Sequence, residues 1–336
     1  MTTAPAPPPP PPPPPPHAQC PLRVLPKLAR SLWALTRDDL FTFVLPNTIF
    51  GICTALAGPP FTSDSVAGPT ILTRIPLVVA FNWTNVLVFE LANQRLYESV
   101  LEDGLNKPYR PIPAGLMTRS DVRRALQLVI PAVLAFNHYV LCTGAETACV
   151  FVGCWVYNDL KGSDDSWLLR NAIIALAFGV FNWTSVKVAV GGGGGGGGVG
   201  GGHVVQSSSG IESMGWNWIR MYSLIIFTTM QVQDMKDQAG DRARGRKTAP
   251  LVVGDWAARW SIAVPTLCWG PICALYFQVH GGAMAVVVVV GVWVAWRCVW
   301  RRGCMHDRRT WHVWCAWTAI LSLMPLYRLR PGFVLA

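Results

Sequence analysis

The sequence predicts an all-α, polytopic membrane protein with about nine transmembrane helices around a central cavity that is open on one face. Two features of its composition point to this fold class, because 51% of the 336 residues are apolar and only 14% are charged. Soluble domains carry about 25% charged residues. The third observation is that lysine and arginine cluster between alternate apolar segments, as they do in the cytoplasmic loops of membrane proteins.

Nine apolar segments are predicted to cross the bilayer. A hydrocarbon core of about 30 Å needs roughly 20 helical residues, and the fourth segment is short by this measure. The predicted spans are residues 41–57, 75–91, 129–142, 147–157, 168–190, 216–232, 256–277, 283–300 and 311–327.

Two low-complexity segments lie outside these spans. Residues 1–21 include ten consecutive prolines, Pro7 to Pro16, and polyproline cannot form an α-helix, so we expect a disordered proline-rich tail. Residues 191–210 are rich in glycine and serine and are expected to form a flexible loop. The rest of the chain, residues 22–336, is predicted to be one transmembrane domain.

The distribution of basic residues predicts the orientation in the membrane. With the amino terminus in the cytosol, the loops after the second, sixth and eighth spans face inward, and these loops carry the basic clusters. The net charge of +10 is therefore assigned to cytoplasmic loops rather than to a nucleic-acid surface. We expect a multi-pass protein of the endoplasmic reticulum, embedded in the lipid bilayer, with its active site facing the cytosol and no obligate protein partner.

An acidic cluster follows the sixth span. Asp234, Asp237 and Asp241 are three and four residues apart, so on a helix they share one face. Arg246 and Lys247 follow shortly after, which places an anion-binding edge beside a cation-binding one. A solvated helix end with alternating charge is the simpler interpretation of such a pattern. Its position at the mouth of an apolar span favours a functional site.

A second group of polar residues lies at the inner end of the second span. Glu90, Gln94, Glu98 and Glu102 recur every four residues and predict one polar stripe on a continuous helix, with Asn93 and Asp103 beside it. Glu90 alone could equally be a snorkelling or ion-paired acid. Because Mg²⁺ takes one or two carboxylates and completes its octahedron with water and phosphate oxygens, the two clusters could hold a magnesium-bridged diphosphate.

With these motifs the chain resembles the UbiA superfamily of intramembrane prenyltransferases, over nearly all of its length after residue 22. The family has nine spans with aspartate-rich motifs on the second and sixth. The second motif matches the pattern DxxDxxxDxxxGxxTxPL at Asp234, Asp237, Asp241, Gly245, Thr248, Pro250 and Leu251.

The first motif departs from the common NDxxDxxxD form by two extra residues, which leaves two registers open. Counted forwards, Gln94 and Tyr97 occupy aspartate positions; counted back from the Asn-Lys-Pro segment at 106–108, Ser99 and Asp103 occupy them. Glu98 and Glu102 are the natural substitutes in the first case. This form resembles a divergent, fungal-type branch that includes membrane-bound terpene cyclases.

The resemblance implies a Mg²⁺-dependent enzyme that ionises an allylic prenyl diphosphate, such as farnesyl or geranylgeranyl diphosphate, and transfers the prenyl group to an aromatic or other small acceptor. The alternative is a sesquiterpene cyclase that releases diphosphate without an acceptor, and a transporter is a third class. Asp234, Asp237, Asp241, Glu98 and Asp103 are the expected catalytic residues. The expected metal ligands are Glu98, Glu102, Asp103, Asp234, Asp237 and Asp241, and the expected diphosphate ligands are Asn93, Lys107, Arg110, Arg246 and Lys247.

Overall fold

The computed structural model describes residues 21–63, 65–191 and 210–329, and these residues fold almost entirely into α-helices. No strand forms within them beyond a single bridge between Thr62 and Ile211. The all-α prediction is confirmed. The first eight helices are α1 (Pro21–Asp39), α2 (Leu45–Ala57), α3 (Gly68–Thr73), α4 (Ile75–Gln94), α5 (Tyr97–Asn106), α6 (Arg119–Tyr139), α7 (Gly144–Asn158) and α8 (Gly162–Asp165).

Two irregular helical turns connect long helices without a loop. A π-helical turn, Leu40–Val44, joins α1 to α2, and a 3₁₀ turn, Met230–Gln233, joins α10 to α11. The remaining helices are α9 (Trp167–Val190), α10 (Ser213–Thr229), α11 (Asp234–Arg244), α12 (Ala249–Val252), α13 (Asp255–Tyr276), α14 (Gly281–Trp300), α15 (Cys304–Leu321) and α16 (Met324–Leu329).

Four helical segments are long and apolar enough to cross a membrane, which is fewer than the nine predicted. They are Lys27–Ala57, Gly68–Gln94, Trp167–Val190 and Gly281–Trp300. The other predicted spans also fall on helices, but α7 has only 15 residues and α15 starts with a charged turn that contains Asp307. In the part of the chain that is described, length and hydropathy therefore identify four helices that are able to cross a membrane.

The predicted tail and loop lie largely outside the described residues. Pro21, assigned to the tail from the sequence, is the first residue of α1. Gly191, assigned to the loop, ends α9 with a φ of +81°, a backbone conformation that glycine adopts without steric cost.

The helices around the centre of the molecule pack through aromatic side chains and one close backbone approach. Phe50 of α2 stacks on Trp218 of α10, with 5.3 Å between the ring centroids. A Cβ atom added to Gly51 would lie 2.7 Å from the backbone carbon of Ser185, so α2 and α9 touch at a position that only glycine permits. This packing holds α2 and α10 against α9, which supplies part of the cavity wall.

Candidate active site

A cavity of about 400 Å³ lies between the helices and is polar on one part of its wall and apolar on the rest. Its apolar wall includes Phe43, Phe89, Phe181 and Trp311. The acidic residues that line it are Asp38, Asp39, Glu90, Glu102, Asp103 and Asp237, and the basic ones are Lys107, Arg110, Arg170, Lys236 and Arg246.

The first acidic region is divided between two helices. Helix α4 ends at Gln94, Leu96 is extended with φ −81° and ψ +138°, and α5 starts at Tyr97. A four-residue repeat keeps one face only along one continuous helix, so the predicted stripe from Glu90 to Glu102 does not form. This prediction was wrong.

Glu98 is the residue that this break displaces. Its carboxylate lies 3.5 Å from the ammonium group of Lys161, and both side chains are about half exposed (45% and 59%). It does not line the cavity. The predicted placement of Glu98 at the metal site is therefore corrected.

Asp103 and Glu102 remain at the cavity. The amide of Gln94 donates a hydrogen bond to Asp103, and Nη1 of Arg110 lies 3.3 Å from the same carboxylate. Burial raises the pKa of Asp103, which Arg110 and Lys107 only partly offset. Both residues predicted here therefore stand beside the cavity, in an environment of strong charge.

Glu102 differs from Asp103 in its partners. Nη1 of Arg244 lies 3.0 Å from it and Nη1 of Arg246 lies 2.9 Å from it. Although burial alone raises the pKa of Glu102, Arg246 and Arg244 lower it below its usual value. Glu102 is therefore held as a carboxylate.

The second acidic motif lies on one helix, α11, as the sequence predicts. Asp237 lines the cavity, whereas Asp234 and Asp241 are buried beside it and are only 1% exposed. Asp234 lies 2.7 Å from Nη1 of Arg170, and Asp241 lies 3.3 Å from Nη1 of Arg246. Each of these two acids is thus paired with an arginine that itself faces the cavity.

The pKa of the buried acid Asp241 is shifted in the opposite direction to that of Asp237. Burial, with repulsion from Asp234 and Glu102, raises the pKa of Asp241 to about 8. The pKa of Asp237 is lowered, because Lys236 and Lys107 outweigh the effect of burial. Asp237 is therefore the aspartate of this motif that is charged and lines the cavity.

Asn106 joins the two motifs. Its amide nitrogen donates to the backbone oxygen of Asp237 at 2.9 Å, and its amide oxygen accepts from the backbone N–H of Gly240 at 3.0 Å. A Cβ atom at position 240 would collide with the Asn106 amide and lie 2.7 Å from the backbone oxygen of Glu102. Helices α5 and α11 are thus held against each other in one register.

The predicted diphosphate ligands divide into four residues that line the cavity and one that does not. Asn93, Lys107, Arg110 and Arg246 line the cavity. Lys247 does not, because its side chain is exposed and only its backbone N–H is used, donating to the Asp164 oxygen at 2.9 Å. The predicted placement of Lys247 is corrected, since α11 ends at Arg244 and the chain turns away.

Lys107, one of two lysines that line the cavity, remains a cation. Burial and Arg110 act to lower the pKa of Lys107, but Asp237, Asp38 and Asp103 outweigh them and raise it. A buried, protonated lysine between acids is suited to binding an anion that arrives with its own counter-cations.

Sequence analysis missed several residues that line the cavity. Arg170 is a charge in the first turn of an apolar span, which is itself a sign of function. Asp38 and Asp39 end α1, just before the predicted first span. The Tyr109 hydroxyl donates to Asp38, and the guanidinium carbon of Arg37 lies 3.2 Å from the centre of the Tyr109 ring.

The donors of the site fit a magnesium ion. Both carboxylate oxygens of Asp234, Oδ1 of Asp237 and Oδ2 of Asp241 are buried and accept no hydrogen bond. Oxygens of this kind are the ligands that Mg²⁺ prefers. Across residues 21–63, 65–191 and 210–329, no three acidic, histidine or cysteine side chains form a ready metal cluster. Mg²⁺ needs only one or two carboxylates when phosphate and water supply the rest, so the residues present fit it.

The fold and the site together define the class of protein. It is a helical membrane protein with a cavity that is charged at one part and apolar elsewhere. Residues 44–323 match the family model described as the UbiA prenyltransferase family. The chain belongs to this family.

Curated relatives carry two kinds of name. The chain is 28% identical to a somaliensene A/B synthase of Streptomyces somaliensis, covering 89% of this chain and 92% of the relative. It is 24% identical to diterpene cyclase eriG of Hericium erinaceus, covering 90% and 92%. It is also 28% identical to polyprenyl transferase eriF of the same fungus, covering 68% and 72%.

A solved structure has the same fold. It is a UbiA homolog from Archaeoglobus fulgidus bound to GPP and Mg²⁺, with a TM-score of 0.54 and 11% sequence identity, and the match covers 89% of this chain and 99% of that one.

Proposed function

We propose that this chain is an integral-membrane, Mg²⁺-dependent enzyme that ionises an allylic prenyl diphosphate. One observation carries the proposal: the acids and bases of two distant motifs meet at one part of a cavity of about 400 Å³ whose remaining wall is apolar. A diphosphate with a hydrocarbon tail has the same division of polarity. The archaeal homolog, which was solved with GPP and Mg²⁺ bound, supports the same substrate class.

Each group at the charged wall then has a role. Asp237, Asp103 and Glu102 would hold Mg²⁺, with Asp234 and Asp241 released from their arginines to join them. When bound, Mg²⁺ would stabilise the charge that develops on the leaving diphosphate. Lys107, Arg110, Arg170 and Arg246 would bind the outer diphosphate oxygens, and Asn93 would orient them.

The apolar wall would hold the hydrocarbon tail. Phe89 of α4 and Tyr157 of α7 lie edge to face, with ring centroids 5.3 Å apart, and both line the cavity. Aromatic faces stabilise a nearby cation electrostatically. Once diphosphate leaves, Phe43, Phe89 and Tyr157 would therefore stabilise the allylic carbocation and exclude water from it.

The two kinds of relative correspond to two possible reactions of that carbocation. Transfer of the prenyl group to an aromatic or other small acceptor is the first candidate. Cyclisation without an acceptor is the second, and the synthase and cyclase names of two relatives favour it. A transporter is not favoured, because the charged groups gather at one part of a cavity instead of along a path.

The proposal includes the setting of the enzyme. We place the enzyme in the endoplasmic reticulum with nine spans, and the distribution of basic residues supports a cavity whose charged part opens to the cytosol. Impermeant labelling of single cysteines placed at positions 104 and 254 in sealed vesicles tests it, and labelling of both from the cytosolic side is the expected result.

Incubation of membranes containing the protein with farnesyl or geranylgeranyl diphosphate, with and without an aromatic acceptor, tests the reaction. We expect Mg²⁺-dependent release of diphosphate. A hydrocarbon product without acceptor would indicate the cyclase, and release that requires the acceptor would indicate the transferase. No release with any prenyl diphosphate would overturn the proposed function.

A further inference from the structure

A pair of carboxyl groups lies at the cavity wall outside both acidic motifs. Asp39 is the last residue of α1, and Glu90 is in α4, one turn before Asn93. Both line the cavity, and Nη2 of Arg110 lies within 4 Å of an oxygen of each carboxyl. Two helices that are distant in sequence thus bring two acids together where the substrate is expected.

One arginine serves both acids. Nη2 of Arg110 donates to Oε1 of Glu90 at 2.9 Å, and its Nη1 lies 2.8 Å from Oε2 without the geometry of a hydrogen bond. Nη2 is also 3.9 Å from Oδ2 of Asp39, and Nη1 is 3.3 Å from Asp103. A single positive charge is therefore shared among three carboxyl groups, and it does not neutralise the pair.

The pair has oxygen atoms left without a donor. Oδ2 of Asp39 and Oε2 of Glu90 are buried and accept no hydrogen bond from any described residue. A carboxylate oxygen of this kind has lone pairs that no hydrogen-bond donor of the protein occupies. At the cavity wall it can therefore accept a proton from a molecule held in the cavity.

We infer that the Asp39–Glu90 pair is the base that removes the proton from the cationic intermediate when the product forms. This inference rests on the proposed function. The C–H bond next to the cationic carbon breaks, its electron pair forms the new C=C bond, and the proton bonds to a carboxylate oxygen of the pair. For an arenium ion formed with an aromatic acceptor, the same loss restores the aromatic ring. The proton then passes to the departing diphosphate or to water.

The other bases at the cavity are engaged elsewhere. Asp103, Glu102 and Asp237 belong to the proposed metal site, and Asp38 accepts a hydrogen bond from Tyr109. The leaving diphosphate is the other base that could take the proton, and its action does not depend on residues 39 and 90. Replacing Asp39 or Glu90 therefore distinguishes the carboxyl pair from diphosphate as the base.

The test measures product formed per diphosphate released in Glu90→Gln and Asp39→Asn. We expect diphosphate release to remain, while the ratio of water-quenched or early-terminated products to the wild-type product rises by about tenfold or more. This ratio between aberrant and wild-type products, the product partition, is measured for a reason. A loss that is only structural lowers diphosphate release and product together and leaves the ratio unchanged.

Glu146→Gln is the matched control. Glu146 is also a buried glutamate, paired with Lys187 at 2.7 Å, but it does not line the cavity. Its product ratio should equal that of wild type. If Glu90→Gln does not accumulate in membranes, Asp39→Asn gives the same readout at the less buried member, whose side chain is 19% exposed.

Three outcomes decide the inference. An altered partition in the tested variants with unchanged partition in Glu146→Gln supports it. An unchanged partition overturns it and assigns the proton to diphosphate. Loss of diphosphate release in proportion to product also overturns it, because the ratio is then unchanged and the pair supports folding or ionisation instead. Wild-type protein that releases no diphosphate overturns the proposed function itself, which is a distinct result.

Discussion

The two acidic regions follow one plan, a long helix, a break and a second helix, yet the sequence describes them unequally well. In the second region all three aspartates lie after the break, on α11, so their spacing has its ordinary helical meaning. In the first region the polar residues lie on both sides of the break between α4 and α5. A spacing rule identifies a shared face only where one helix carries every residue in the pattern.

The two regions also differ in how their acids are neutralised. In the second, Asp234 pairs with Arg170, and Asp241 pairs with Arg246, which also contacts Glu102 and Asp164. In the first, Glu90 and Asp103 share Arg110 with Asp39 of α1. Removal of Asp234 therefore leaves the buried Arg170 without its counter-charge, and removal of Glu90 or Asp103 relieves an excess of negative charge.

Asp237→Asn is expected to have the largest effect on activity. Asp237 lines the cavity and pairs with the neighbouring Lys236, which also lines the cavity and lies over the Trp311 ring. Its loss therefore removes a metal ligand and leaves the flexible Lys236 side chain at the cavity with that ring contact. We expect kcat/KM to fall by about 10³-fold, as for the loss of a group that stabilises transition-state charge, with little change in Tm.

Asp234→Asn is the comparison variant. It should lose activity as well, but it should also destabilise the protein by about 2 kcal/mol, because Arg170 is left buried without its counter-charge. Both variants are measured for diphosphate release and thermal unfolding in detergent. Near-wild-type release by Asp237→Asn would remove the metal assignment of this motif.

Gly240→Ala should have the second-largest effect, because it separates the two regions. The new methyl group would strike the Asn106 amide and the backbone at Glu102, so α5 and α11 must move apart. We expect stability to fall by about 1–3 kcal/mol, the usual effect of overpacking. Diphosphate release should fall by about 10²-fold, since displacements of about 1 Å can have this effect.

Gly104→Ala is its control on the facing helix. A Cβ atom at position 104 meets nothing within 4 Å, so this variant should be neutral or slightly more stable, because alanine favours a helix over glycine by about 1 kcal/mol. Equal behaviour of the two alanine variants would show that contact between α5 and α11 is not needed for activity.

How far the sequence predicts the site depends on the range of the contact. The order of the long helices and the shared helix of the three aspartates were predicted from local patterns, and the family resemblance implied Lys107, Arg110 and Arg246, which line the cavity. Arg170 pairs with Asp234 across 64 residues of chain, and Asp39 shares Arg110 with Glu90 across 51, so no local spacing contains either relation. Lys247 was misplaced because the helix ends at Arg244, three residues earlier.

Glu102→Gln should have an intermediate effect. Glu102 lines the cavity at the contact between α5 and α11, and it is held as a carboxylate by Arg244 and Arg246. Loss of its charge should raise the Mg²⁺ concentration for half-maximal activity by about tenfold, the lower end for loss of one supporting metal contact. A Mg²⁺ titration of diphosphate release measures this, and an unchanged midpoint would exclude Glu102 from the metal site.

The smallest effect is expected for Glu98→Gln, which decides between the two registers of the first motif. Glu98 forms an exposed pair with Lys161, and such pairs contribute little, so the Mg²⁺ midpoint should stay within about twofold of wild type.

Ser99, the next residue, is buried, and its hydroxyl accepts a hydrogen bond from Nη1 of Arg244 at 2.6 Å. Ser99→Asp therefore adds a carboxylate beside a guanidinium on the inner side of α5, where the register counted back from the Asn-Lys-Pro segment has an aspartate. The double variant Glu98→Gln with Ser99→Asp should behave as Ser99→Asp alone, because position 98 has no part in the site. A sharp rise in the Mg²⁺ requirement of Glu98→Gln would restore the continuous stripe through Gln94, and it would mean that α4 and α5 join into one helix when Mg²⁺ and diphosphate bind.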